Sequence, residues 1–104
     1  MNGVAVVEKI MIVDDDEIVC RIADKILNQK YETFSVNSGE EAREQAEAGQ
    51  PDLILMDLNM PEMDGYEACR RIKADYPSLP VIMMTAYDNV SALEKAFSAG
   101  ADDY

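Results

Sequence analysis

Residues Asp52 to Glu67 read DLILMDLNMPEMDGYE, and this stretch decides the fold. Leu53 to Met56 form an unbroken apolar run that stops at the carboxylate of Asp57. A loop follows, marked by Pro61 and Asp64-Gly65, and then a segment with helical spacing. A short strand that is apolar at every position is buried on both faces, as in a parallel sheet lying between two layers of helices. Ligands of such sheets bind beyond the carboxyl ends of the strands, where Asp57 falls. Asp57 is therefore a candidate reactive group. The plainer reading of a lone strand-end aspartate is a helix cap or turn residue.

Upstream, Lys9 to Asp14 predicts a first strand around the buried run Ile10 to Val13. Residues 1–8 are expected to be an arm or an extension of that strand. Asp14-Asp15-Asp16-Glu17 then opens a helix with apolar positions Ile18, Val19, Ile22, Ala23, Ile26 and Leu27, an amphipathic spacing of three and four. Acids in a first turn cap free N–H groups and suit the positive end of the helix dipole, so capping is the plain reading of this cluster. Tyr31 to Val36 predicts a second strand. Ser38 opens a polar helix to about Ala48, with Ala42 and Ala46 as its thin apolar stripe and Ser38 with Glu41 as a capping box. Gly49-Gln50-Pro51 stops it.

Downstream of the loop a third helix is expected to about Asp75, broken by Tyr76 to Pro80. Val81 to Thr85 predicts a fourth strand, apolar until its terminal hydroxyl. A fourth helix is expected over Asp88 to Ser98, and Ala101 to Tyr104 reads as the approach to a fifth strand. The alternating order predicts an α/β domain, a doubly wound parallel sheet with right-handed crossovers. Met11, Met56, Met83 and Met84 fall in the strand runs as core filler, and Met60 and Met63 flank the loop.

The totals narrow the function. A chain of 104 residues, 48% hydrophobic and 29% charged, is one globular domain. No apolar run approaches the ~20 residues of a membrane-spanning helix, and no export signal is visible, which points to the cytoplasm. Cys20 and Cys69 stand apart, within helices, without metal or redox neighbours. Nine basic against twenty-one acidic residues give a net charge of −12, which disfavours nucleic acid and anionic lipid as partners. There is no histidine, so chemistry here rests on carboxylates, hydroxyls and a bound cation.

Three strands end in polar residues on one edge: Asp14-Asp15 after the first, Asp57 after the third and Thr85 after the fourth. In a doubly wound sheet the first and third strands are neighbours, so these acids converge. Packed carboxylates repel, and burial raises their pKa unless a cation is present. Mg²⁺ is held by a few carboxylates plus waters and substrate oxygens, which suits a phosphoryl group. A carboxylate can itself be the nucleophile, giving an aspartyl phosphate.

The acidic pair, then Asp57-Leu58-Asn59-Met60-Pro61-Glu62-Met63-Asp64-Gly65, then Thr85-Ala86, then Ala99-Gly100-Ala101-Asp102-Asp103-Tyr104, resembles the receiver domain of bacterial two-component response regulators. The resemblance covers Lys9 to Tyr104 and implies a flavodoxin-like receiver fold with strand order 2-1-3-4. It implies that Asp57 accepts a phosphoryl group from a sensor histidine kinase or phosphotransfer protein. Asp15 would ligate Mg²⁺ directly, Asp14 mainly through a water, and the Asn59 main-chain carbonyl would complete the protein ligands. Thr85 would turn its hydroxyl toward the phosphoryl oxygen, with Tyr104 as the switch aromatic. Such a domain is a phosphorylation switch and not an enzyme acting on external substrates.

The sequence stops before the lysine, the rest of the fifth strand and the last helix of the family pattern. The resemblance therefore implies a half-covered sheet face on the first helix's side, with an apolar patch of roughly several hundred Å². A chain ending at Tyr104 is expected to hide it in a homodimer; a protein that continues would cover it otherwise. Rival readings are a non-phosphorylated interaction scaffold, a phosphohydrolase with an aspartyl intermediate, and a flavin binder. A phosphohydrolase calls for an Asp-x-Asp nucleophile after the first strand and cap segments. A flavin binder calls for a hydroxyl- or glycine-rich loop where Asp14-Asp15-Asp16 stands.

Overall fold

The computed structural model describes residues 7–57, 65–84 and 102. Strands β1 (Lys9–Val13), β2 (Glu32–Val36), β3 (Leu53–Asp57) and β4 (Val81–Met84) alternate with helices α1 (Glu17–Leu27), α2 (Gly39–Ala48) and α3 (Gly65–Asp75). All strand pairs are parallel and the sheet order is β2-β1-β3-β4. The family-like order 2-1-3-4 is thus the order of this sheet. The fourth helix expected over residues 88–98, the loop residues 58–64 and the arm at 1–6 lie outside the described residues.

Because successive strand side chains point to opposite faces, each strand divides its apolar residues between two cores. On one face Met11, Val13, Val36, Ile54, Met56, Val81 and Met83 meet Ala42 and Ala46 of α2 and Ala68, Cys69 and Ile72 of α3. The small residues of the thin α2 stripe let that helix lie close on the sheet. On the other face Ile10 and Ile12 meet Cys20 of α1, with Ala23, Leu27, Leu53 and Leu55 around them partly buried. The methionines at 11, 56 and 83 are core residues as their strand positions require; the side chain of Met84 lies outside the described set.

Several boundaries differ from the sequence reading, each for a local reason. β1 ends at Val13, although the Asp14 N–H still reaches the Val36 carbonyl at 3.1 Å. Helix α1 begins at Glu17 because Asp16 caps it, its Oδ1 accepting from the Ile18 N–H at 2.9 Å. β2 begins at Glu32, since Tyr31 N–H is taken by the Leu27 carbonyl closing α1. At α2, Ser38 Oγ accepts from Glu41 N–H at 3.1 Å, but the Glu41 carboxylate meets the N–H of Asn37 at 3.5 Å, one residue before the cap. The expected capping box is therefore half formed.

The α2 stop also has a physical cause that composition does not reveal. Gly49 keeps helical angles, and the left-handed turn falls on Gln50 at φ 47°. Glycine is needed at 49 for space: a Cβ there would lie 2.6 Å from Phe34 Cζ and 2.9 Å from the Gln45 carbonyl.

Helix α1 departs most from expectation. Ile18, Val19, Ile22 and Ile26, four of its six apolar positions, are 67%, 38%, 56% and 67% exposed. Only Cys20, which was not counted in that apolar set, is fully buried on this helix. The amphipathic stripe exists, but Ala23 and Leu27 alone of the six lean on the sheet. Near the start of β4, Asp102 N–H donates to the Val81 carbonyl at 2.8 Å, and its carboxylate accepts from Val81 N–H at 2.8 Å and Lys73 Nζ at 2.9 Å. Burial alone would raise the Asp102 pKa, but these two donors outweigh it and hold the carboxyl below the usual range. Among the described residues no helix is long and apolar enough to cross a membrane.

Candidate metal and phosphoryl site

The site is made by two neighbouring strands that end together. Val13 pairs with Met56 in the β1–β3 ladder, so the next residues, Asp14 just past β1 and Asp57 at the end of β3, stand side by side at the carboxyl edge of the sheet. One carboxylate oxygen from each of Asp14, Asp15 and Asp57 lies within 4.8 Å of the others. Asp14 is buried (6% exposed), Asp57 half-buried and Asp15 exposed. The cluster thus grades from sheet interior to solvent.

The acidic run after β1 divides its labour. Asp16 turns away to cap α1 and takes no part in the cluster. Its own N–H donates to Asp14 Oδ1 at 2.9 Å, fixing the Asp14 side chain by a two-residue turn. The Asp14 carbonyl accepts from Asn37 Nδ2 at 3.3 Å and Cys20 Sγ at 3.4 Å. Sequence reasoning did not single out Asn37 or Cys20 for this purpose. Cys20 packs in the core beneath α1, and its thiol contact follows from where that helix settles. Asn37 comes from the end of β2, 23 residues away, and no local pattern announces the contact.

Electrostatics show why this cluster invites a cation. Burial pushes the Asp14 carboxyl up to about 6; the Asp16 N–H opposes this, and the charges of Asp57, Asp15 and Asp16 reinforce it. Three carboxylates in such a space repel one another, and a bound cation would relieve that repulsion. All donors are hard oxygens and one end is open to water, as Mg²⁺ requires. The residues present therefore fit a divalent cation. Asn59, Thr85 and Tyr104, assigned to the site from the resemblance, lie outside the described residues. Neither cysteine suits redox chemistry: burial raises both thiols, Cys69 to about 11.

A parallel sheet ordered 2-1-3-4 with an acid cluster across the β1 and β3 ends is a doubly wound α/β fold with a candidate site at a strand switch point. The chain belongs to the response regulator receiver domain family, whose sequence profile matches residues 10–104. It is similar to the alkaline phosphatase synthesis transcriptional regulatory protein PhoP of Bacillus subtilis, 35% identical over 93% of this chain and 41% of PhoP. It is also similar to the transcriptional regulatory protein ZraR of Escherichia coli, 42% identical over 91% of this chain and 22% of ZraR. The chain therefore spans less than half the length of these relatives. Among solved structures, response regulator DrrB of Thermotoga maritima superposes with a TM-score of 0.85 at 33% identity, over 95% of this chain and 45% of DrrB. This is a receiver domain of two-component response regulators.

Proposed function

We propose that this receiver domain takes a phosphoryl group onto Asp57 from a phosphohistidine of a sensor kinase or phosphotransfer protein. The observation that carries this is the meeting of Asp14, Asp15 and Asp57 oxygens within 4.8 Å, one of them buried with a raised pKa. In the transfer an Asp57 carboxylate oxygen forms a bond to phosphorus as the phosphorus–nitrogen bond to the donor imidazole breaks. The bonding pair leaves with the imidazole nitrogen. Asp14, Asp15, Asp57 and the Asn59 carbonyl would hold Mg²⁺. Bound there, Mg²⁺ supplies neutralisation of the phosphoryl oxygens.

The chain's own residues do the rest. β1 and β3 hold the acids at fixed spacing, Asp16 N–H orients Asp14, and Asp57 stands at the strand end where a donor can approach. Thr85 is assigned to the phosphoryl oxygen and Tyr104 to the following switch. The new charge and acceptor oxygens bias a two-state surface that partners read. The domain acts as a cytoplasmic signalling phosphoacceptor with no external substrate beyond its own transfer and hydrolysis, and its charge of −12 keeps it from nucleic acid.

Incubation with Mg²⁺ and a small acyl phosphate, followed by intact mass, tests this. One phosphoryl adduct is expected in the chain and none in Asp57→Asn. Absence of an adduct at saturating donor would overturn it in favour of a non-phosphorylated interaction scaffold.

A further inference from the structure

Toward β2, the β1 ladder runs out just where the acid cluster begins. Its last rung is the Asp14 N–H on the Val36 carbonyl at 3.1 Å. In a parallel ladder of this register the next rung would bring the Ser38 N–H to the Asp14 carbonyl. β2 ends at Val36, however, and Ser38 is already the cap of α2. The Asn37 side chain fills the place, its Nδ2 donating to the Asp14 carbonyl at 3.3 Å. Only the NH₂ end of an amide can face a carbonyl, so chemistry dictates this orientation.

That carbonyl belongs to the peptide joining two of the three clustered acids. The peptide is planar, so the direction of the Asp14 C=O also sets that of the Asp15 N–H, and with them ψ of Asp14 and φ of Asp15. The two side chains are held differently. Asp14 is buried, and its Oδ1 accepts from the Asp16 N–H at 2.9 Å. Asp15 is exposed, so the backbone beneath it has the larger share in bringing its oxygen within 4.8 Å of the others.

Two donors meet at the Asp14 carbonyl, and they are unequal. The Cys20 thiol, 3.4 Å away, is a weak donor, whereas the Asn37 amide is a full one. Asn37 is itself firmly based. It directly follows β2, and its N–H faces the Glu41 carboxylate at 3.5 Å in the first turn of α2. The next residue, Ser38, caps that helix. The side chain thus reaches the acid loop from a strand end and a helix start that are both held in the fold.

We infer that Asn37 is a positioning residue for the cation: it holds the Asp14–Asp15 peptide so that both carboxylates offer their oxygens to one ion beside Asp57. This rests on the reading of the cluster as a Mg²⁺ and phosphoryl site. Asn37 acts through the Asp14 carbonyl and carries no charge, so replacing it by another neutral residue leaves the net charge at the site unaltered. What changes is the freedom of Asp15, which a bound ion must then restrict at a cost in affinity.

Titration with Mg²⁺ at fixed ionic strength, followed by amide chemical shifts, tests this. Asn37→Ala, and Asn37→Ser, whose hydroxyl ends one bond short of the carbonyl, should each weaken Mg²⁺ binding about three- to tenfold. The loss stays at the low end for a group that orients a ligand from behind, because Cys20 still supports the carbonyl. At saturating Mg²⁺ both variants should still form the single Asp57 adduct. Ser38→Ala removes the neighbouring α2 cap, so it should lower the melting temperature yet leave Mg²⁺ affinity unchanged. Affinities of both Asn37 variants equal to the parent's overturn the inference, while an adduct on the parent leaves the Asp57 reading standing. An equal loss in Ser38→Ala also overturns it, since the effect would then belong to the start of α2. A parent that neither binds Mg²⁺ nor takes the adduct overturns the site and the inference together.

Discussion

Asp14 and Asp16 stand two positions apart in one acidic run and meet opposite fates. Asp14 faces the buried end of β1 beside Asp57, and Asp16 faces water and caps a helix. The unfolded chain ionises Asp14 near 3.8, the folded chain at about 6. As pH rises from about 4 to about 6 the unfolded state therefore gives up the proton first, and stability declines. Above that window the cost is constant, on the order of 1–3 kcal/mol without a cation once solvent screening is allowed for; below it there is none. Asp14→Asn keeps the Oδ1 acceptor for Asp16 and removes the charge. Urea unfolding without divalent ions should show it more stable than the parent at neutral pH, by about 1–3 kcal/mol, and equal near pH 4. A variant less stable at both pH values would contradict this account of the site.

At the scale of the element, α1 combines a firm start with a loosely covered body. Its N-terminus is fixed by the Asp16 cap and by the Cys20 N–H on the Asp16 carbonyl at 3.1 Å. Asp16→Ala should lower stability by about 1 kcal/mol in thermal or chemical unfolding. It should leave the Asp57 adduct intact, because Asp16 is not in the acid cluster. Loss of the adduct in a folded Asp16→Ala would mean that the cap, by fixing Asp14, acts on the chemistry as well. The α2–β3 connection teaches a related lesson. Gly49 suits a helix stop in sequence, yet the Phe34 ring and the Gln45 carbonyl against it are what demand glycine there.

For the whole molecule, net charge and site charge act together. With twenty-one acids against nine bases the excess negative charge repels itself, and three of the acids are concentrated at one sheet edge. Millimolar Mg²⁺ at fixed ionic strength should raise the melting temperature by several °C through binding to the folded state. Asp57→Asn should reduce that gain, and Na⁺ at matched ionic strength should not reproduce it. An equal rise with either salt would show general screening in place of a site.

The sequence by itself determined the alternation of strands and helices, since apolar runs of four and a spacing of three and four are local properties of the chain. It also determined which edge carries the acids, because β1 and β3 each announce their end by the first carboxylate after an apolar run. Tertiary structure alone decided which acid of the run binds and which caps. That choice depends on Asp57, Asn37 and Asp14 being brought together from three separate strand ends. It decided, too, that most of the α1 stripe faces outward. Periodicity records that a helix has an apolar side, whereas only packing over β1 and β2 determines how much of that side the sheet can reach.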